Sequence, residues 1–463
     1  MTDPDNNRTW PDYRAVWRWH FYAGLFCIPF VLVLSISGAI YLFKPQIEAW
    51  NDAPYDRLAV KDAKPVADQI RATVGAFPDS RFATCELPKA NDAATRIVVR
   101  RNGEAIRTYV HPETLEVLHS VPDDQRFMRS MFRLHGELWM GNLGSNLVEL
   151  AASWTIIMVL TGLYLWWPRQ SRGLGGVVYP RLRSGSRILW RDLHSVVGVW
   201  ISALALFLLL SGLPWAKAWG GYFKAFRQMT GTAVAKQDWT TGSERRPSRS
   251  AVGPGEHGDH QGRSRRGRGG ADGPALPNDL PAVDRVIAAV GPLDLAPPVV
   301  IAPPEGNSTK WSAKSMAANR PLRVNLVVDG ETGTIVSRED FSDRHLIDRI
   351  VGTCIAAHEG QLFGWPNQLL GLVAAVGLIL LSVSGVILWW RRRDQGVLGA
   401  PRVLLDPRVS WGLIAMILLL GIYLPLFGAS LVLVLFIEWG LLRRIPRLRD
   451  WLGLSAPREA VPA

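Results

Sequence analysis

The strongest constraint on this chain is a set of membrane-length apolar runs tied to histidines by repeated offsets. Runs 21–43, 146–167, 195–215 and 367–390 each supply the roughly 20 apolar helical residues that a hydrocarbon core of about 30 Å demands. Only a helix or a closed barrel satisfies its backbone in lipid, and continuous apolar runs of this length read as helices. His20, Gly24 and Ser37-Gly38 return with unchanged spacing as His194, Gly198 and Ser211-Gly212. His135, Gly141, Gly162 and Trp166-Trp167 return as His358, Gly364, Gly385 and Trp389-Trp390. The spacing reads as a duplicated helix pair with a histidine at each end.

A last apolar region, 409–441, is interrupted by Pro425 and Gly428. As one helix it would be roughly 50 Å long at 1.5 Å per residue, so a hairpin turning at Leu424-Pro425 is expected, giving six spans. The basic residues agree with that turn. Arg8, Arg14 and Arg18 precede the first span, and Arg169, Arg172, Arg181, Arg183, Arg187 and Arg191 link the second to the third. Arg391, Arg392 and Arg393 follow the fourth, and Arg443 and Arg444 follow the last run. All four groups share one side only if the last run is a hairpin, and that side is expected to be cytoplasmic, with both termini. The net charge of +12 therefore belongs to membrane loops, and nucleic-acid binding is not expected, since no folded basic domain is visible. The 20 tryptophans suit interfacial belts in contact with lipid headgroups. The polar N-terminus shows no small-residue cleavage site after the first run, so that run is expected to be retained. Cys27, Cys85 and Cys354 show no metal spacing; Cys85 and Cys354 could bridge only if both face an oxidising compartment, and that bridge is not expected.

Two segments, 44–134 and 216–357, then lie outside and read as small α+β modules. Residues 64–76 and 281–290 are helix-like; 95–101, 107–111, 323–329 and 333–336 are strand-like, and Asp329-Gly330 marks a hairpin turn. Tract 241–278, rich in Gly, Arg, Ser and Pro, reads as a disordered insertion. Its His257 and His260 read as solvated rather than as a metal site.

Ionisable groups near membrane depth are costly and tend to be functional. Four histidines at duplicated positions are best explained by haem iron, which takes axial imidazoles from facing helices. Gly24 and Gly198 lie one turn from His20 and His194 on the same helix face, where a small residue lets a porphyrin approach the backbone. His20 and His194 enter from the same side and can share one iron; His135 and His358 both lie outside and can share another. The expected cofactors are two bis-histidine b-type haems. Because 33 residues separate His135 from Trp167 inclusive, a bend is predicted at Gly141-Gly144, matched by Gly364 and Pro366. Arg18, Arg191, Arg126 and Arg349 are candidates to pair haem propionates. Ser37, Thr161, Ser211 and Ser384 read as small helix-packing residues. His111, His119 and His345 lack partners at a repeated spacing and read as ordinary surface residues.

The segments Trp17-Arg18-Trp19-His20, Leu134-His135-Gly136, Arg191-Asp192-Leu193-His194, Trp166-Trp167-Pro168-Arg169 and Trp389-Trp390-Arg391-Arg392 resemble the PepSY-associated transmembrane helix family. That group is also described as iron-regulated membrane proteins and includes siderophore reductases of the bacterial inner membrane. Two departures stand out: Thr114-Leu115 occupies the place of the usual Thr332-Gly333, and Ala357-His358-Glu359 that of Leu-His-Gly. The resemblance implies electron transfer through haem and reduction of periplasmic ferric chelates, with His20, His135, His194 and His358 as ligands.

The fold expected is an α-helical integral membrane protein: an internally duplicated four-helix haem-binding bundle, a C-terminal helical hairpin and two small α+β PepSY-like periplasmic modules. The expected divisions are 1–43 (N-terminus and first span), 44–134 (first module), 135–167 (outer histidine segment and second span) and 168–193 (basic loop). They continue as 194–215 (third span), 216–357 (second module with its insertion), 358–390 (outer histidine segment and fourth span), 391–408 (link), 409–441 (hairpin) and 442–463 (tail). The leading function is a haem-dependent reductase of a ferric siderophore or other ferric chelate in the periplasm. No GxGxxG in a βαβ setting is present, so the electron donor is external: a quinol, or a cytoplasmic flavoprotein docking on the arginine-rich loop. The alternative is a non-enzymatic PepSY scaffold that binds a periplasmic partner. A transporter fits less well, because no span is visibly broken at mid-membrane.

Overall fold

The computed structural model describes residues 13–168, 173–232, 275–401 and 411–454. Arg8, Arg169, Arg172, His257, His260 and nearly all of the 241–278 insertion lie outside the described residues.

In chain order the helices are α1 (Tyr13–Leu42), α2 (Lys44–Asp52), α3 (Val66–Ala76), α4 (Phe127–Glu137), α5 (Asn142–Trp166), α6 (Ser186–Gly212) and α7 (Lys217–Met229). They continue as α8 (Ala282–Val290), α9 (Leu346–His358), α10 (Trp365–Arg392), α11 (Trp411–Tyr423), α12 (Pro425–Ile437) and α13 (Pro446–Trp451). The strands are β1 (Ser80–Glu86), β2 (Thr95–Arg101), β3 (Glu104–Val110), β4 (Val117–Pro122), β5 (Val299–Ala302), β6 (Lys310–Ser315), β7 (Val324–Asp329) and β8 (Ile335–Asp340). Two units form: a helical one within 1–42, 133–226 and 368–463, and a sheet-based one within 43–132 and 227–367.

In the helical unit, α1, α5, α6 with its continuation to Trp215, α10 and the stretch Pro425–Leu442 are long and apolar enough to cross a membrane. The chain is a multi-pass membrane protein. Helix α11 is shorter, with 13 residues. Leu424 separates it from α12, and Gly421 and Gly428 meet so closely across the turn that a Cβ on Gly428 would lie 2.8 Å from the Gly421 carbonyl. This pair packs through Leu424 and Phe427 against Ile156, Leu213 and Trp219, and Trp154 donates its indole N–H to Ser430 Oγ at 3.0 Å. The interior of the unit carries Ser153, Thr155, Ser202 and Ser382, whose hydroxyls each donate to the carbonyl four residues earlier. That back-bonding satisfies a polar group without a partner helix.

Three helix starts differ from the sequence expectation: α1 is already helical at Tyr13, so His20 lies inside it rather than at its mouth. Helix α6 starts at Ser186, so His194 sits in its third turn rather than at its mouth. The extension is possible because Asp192, fully buried, is paired by Arg181 at 2.8 Å and Arg191 at 2.9 Å. Helix α4 begins at Phe127, inside the segment assigned to the first module. It ends where the bend was placed: Leu138, Trp139 and Gly141 have positive φ. Gly144 is required there, since a Cβ would lie 1.7 Å from the Glu137 carbonyl. In the sheet unit α9 ends at His358 and α10 restarts at Trp365, with Gly360 and Gly364 at positive φ between them.

The sheet unit corrects the picture of two separate modules. All eight strands form one antiparallel sheet in the order β4-β3-β2-β1-β5-β6-β7-β8. The seam is a short pairing of Cys85 with Ile301 and Glu86 with Val300. Helices α3 and α8 bury Ile70, Val283 and Val286 over Ile97, Val99, Ile301, Leu326 and Val328. Asp284 of α8 accepts the backbone N–H groups of Val66 and Ala67 at 2.7 and 3.3 Å, capping the first turn of α3 with a carboxylate. Each half of the sheet runs from a helix through four strands and a short 3₁₀ turn to a second helix, and the second half adds 3₁₀ turns at Gly291–Leu293 and Arg320–Leu322. Cys27, Cys85 and Cys354 are free thiols.

Candidate functional site

Of the sequence-predicted ligands, His20 on α1 and His194 on α6 are brought together. Their ring centroids lie 6.3 Å apart with planes at 86°. The two rings are near enough that both could hold one metal ion, as a bis-histidine haem would require.

The hydrogen bonds determine which ring nitrogen remains for such an iron. His20 Nδ1 lies 3.1 Å from Thr161 Oγ1 of α5. His194 Nδ1 lies 3.1 Å from both Ser384 Oγ and the Leu381 carbonyl of α10. His135 Nδ1 lies 3.1 Å from Ser37 Oγ of α1. The Leu381 carbonyl only accepts, so Nδ1 of His194 carries the proton. The hydroxyls have spent their own protons: Thr161 donates to Ile157 O at 2.8 Å, Ser37 to Val33 O at 2.7 Å and Ser384 to Leu381 O at 3.0 Å. With Nδ1 of His20 and His194 facing these acceptors, Nε2 of each is the nitrogen that would remain for a metal.

The glycines that permit this approach are not the ones the sequence suggested. A Cβ on Gly24 would meet only Met158 Cε at 3.9 Å, and one on Gly198 only Leu381 Cδ2 at 3.5 Å. A Cβ on Gly38 would lie 3.0 Å from His135 Cε1, on Gly162 3.2 Å from His20 Cε1, and on Gly385 3.5 Å from His194 Cε1. Each of these glycines follows the hydroxyl residue that holds the ring. The hydroxyl-glycine dipeptides, read from sequence as packing residues, are the direct partners of His20, His135 and His194.

His135 ends α4 in the helical unit, whereas His358 ends α9 in the sheet unit. Three of the four candidate arginines have other work. Arg18 donates to the Pro401 and Gly453 carbonyls at 2.7 and 3.0 Å and to Tyr22 at 3.1 Å. Arg191 is tied to Asp192, and Arg126 to Glu48 at 3.0 Å and Asp123 at 3.3 Å. Arg349 is exposed on α9 and lines an open cleft of about 770 Å³ with Phe341, Ile350 and Cys354. His111 and His345 accept backbone N–H groups of adjacent residues at Nδ1, and His119 stacks on Tyr55. These three are structural. Among the described residues no cluster of three or more His, Cys, Asp or Glu could hold a bare metal ion.

The basic segments of the helical unit share one end. Arg18 reaches Gly453, Arg391 donates to Ser186 at 3.0 Å, and Arg392 lies over the Trp17 ring at 4.7 Å. A family model, that of the PepSY-associated TM region, matches residues 17–392. No curated protein matches the chain.

Proposed function

This chain belongs to the PepSY-associated transmembrane family, and we propose that it is a di-haem b electron-transfer protein of the bacterial inner membrane that reduces a ferric siderophore or other ferric chelate in the periplasm. Bound haem supplies reversible one-electron chemistry at iron. The chain's own part is to hold the axial nitrogens, exclude water and set the local field.

The observation that carries the reading is the His20–His194 pair: two imidazoles with ring centres 6.3 Å apart, each with Nδ1 held by a hydroxyl of a neighbouring helix. His135 and His358 extend the proposal to a second haem through the repeated spacing alone. The clustering of Arg18, Arg391 and Arg392 at one end supports a cytoplasmic assignment for that end, with electrons supplied by a quinol or a cytoplasmic flavoprotein. Reduction loosens hard-oxygen chelators from iron because Fe(II) is the softer, less charged acid.

The test is spectroscopic. Protein purified from haem-replete cells is expected to show a reducible b-type spectrum with two haems per chain by pyridine haemochrome. His20→Ala and His194→Ala should each lower that number toward one. Reoxidation of the reduced protein by ferric chelates then identifies the substrate class. A colourless wild-type protein would sink the proposal and favour the scaffold reading. That reading draws on the exposed edge strand β8, where Ile335 and Val336 are 41% and 50% exposed and could accept a partner strand.

A further inference from the structure

The structure assigns Thr161 and Ser384 as positioning residues that fix His20 and His194 in the Nδ1–H tautomer and tune how strongly each donates through Nε2. The tautomer half of this inference concerns the chain alone; the tuning half rests on the di-haem reading.

The argument starts from what each hydroxyl can do. A threonine or serine in an apolar helix discharges its proton onto the carbonyl one turn back, as Thr161 does to Ile157 and Ser384 to Leu381. The oxygen can then only accept. Set 3.1 Å from an imidazole Nδ1, it demands a proton there. Ser382 serves as an internal control: it lies on the same helix and back-bonds to Leu378 O at 2.9 Å, and no hydrogen bond to a histidine is seen for it among the described residues.

The consequence for a bound iron follows from the same bond. A hydrogen bond accepted from Nδ1–H draws the proton away and makes the ring a better donor, which favours the higher oxidation state. Removing it should favour the reduced state, raising the midpoint potential. Both ligands to the same iron carry the device, so their effects should add in the same direction.

The experiment has two arms. In the first, full-length protein from haem-limited cells, carrying 15N-histidine, is examined by NMR, with single His variants assigning the signals. The signals of His20 and His194 are expected to be of the Nδ1–H type. In Thr161→Val the Nδ1 proton of His20 should move upfield as its hydrogen bond weakens, and Thr161→Ser should restore it. In the second arm, haem-loaded protein is titrated potentiometrically. Thr161→Val and Ser384→Ala should each shift the ferric–ferrous equilibrium about two- to tenfold toward the reduced form, tenfold being about 59 mV for one electron. Ser382→Ala should leave it unmoved. Nε2–H signals in the wild type, or potentials that shift equally in Ser382→Ala, would overturn the inference. A wild type that takes up no haem would defeat the di-haem reading instead, and the first arm would still decide the tautomer.

Discussion

Replacing Gly162 by alanine should weaken haem binding, whereas the same change at Gly385 should hardly be felt. The two glycines occupy matched places and face the two proposed ligands of one iron. A Cβ at residue 162 would lie 3.2 Å from His20 Cε1, and one at residue 385 would lie 3.5 Å from His194 Cε1. Ordinary carbon contacts are about 3.5–4.0 Å, so the His20 ring must retreat by roughly 0.3 Å or more while the His194 ring need not move. If that retreat follows the hydrogen bond, the Nδ1–Oγ1 separation grows from 3.1 Å to about 3.4 Å, beyond the usual hydrogen-bond range. Most of a net contribution of about 0.5–1.5 kcal/mol is then lost, equivalent to roughly two- to tenfold in affinity. The helix-propensity gain of glycine to alanine, about 1 kcal/mol, acts on both variants and cancels in the comparison. The assay is haem titration of apo-protein followed at the Soret band, with stoichiometry by haemochrome. Equal losses in the two variants, or a larger loss in Gly385→Ala, would refute the reasoning, because the 0.3 Å difference would then not govern ring placement.

Three further outcomes are expected. Asp348→Ala strands the fully buried Arg227 guanidinium, which Asp348 meets at 2.7 and 2.9 Å; the loss should be about 3–5 kcal/mol in the sheet unit, visible as a lower melting temperature. Glu149 accepts the N–H groups of Ala218 and Trp219 at 2.9 and 3.0 Å, so Glu149→Ala should cost about 1–2 kcal/mol and expose α7 to proteolysis, while Glu149→Gln keeps an acceptor and should lose less. Burial alone would raise the Asp56 carboxyl, yet the hydrogen bond and charge of Arg96 hold it below its usual range. Its contribution is therefore present above the ordinary carboxylate range and lost as pH falls through the lowered value. Asp56→Asn should flatten the acid limb of a stability–pH profile of the sheet unit.

The four main apolar helices, the break before α5 and the nearness of His20 to His194 were legible because each rests on a long apolar run or a repeated offset, whereas the sixth span was not: α11 has only 13 residues. Strand β2 was legible because Ile97 and Val99 alternate inward. The sheet seam was not: β1 is polar and carries a bulge between Phe82 and Thr84, and β5 has only four residues. The arginine candidates misled because a sequence cannot reveal that Arg18 is already engaged by the Pro401 and Gly453 carbonyls.

The hydroxyl-glycine pairs were visible but unreadable for a geometric reason. Ser37 lies 17 residues beyond His20 on one helix, and Ser211 lies 17 beyond His194. At 1.5 Å per residue that is about 25 Å, so a histidine and the hydroxyl of its own helix stand at opposite ends of a span. A hydroxyl can hold a ring only on an antiparallel neighbour, and sequence distance then carries no signal: His20 and Thr161 are 141 residues apart, His194 and Ser384 are 190. The structure resolves the exchange as reciprocal. Helix α5 presents Thr161 to His20 of α1, and α1 presents Ser37 to His135, which α4 carries just ahead of α5. His20, His135 and His194 are thus each gripped within their own half of the chain, while the rings of His20 and His194 lie close across the halves. The positions of the two imidazoles are in this way set by the chain's own hydroxyls.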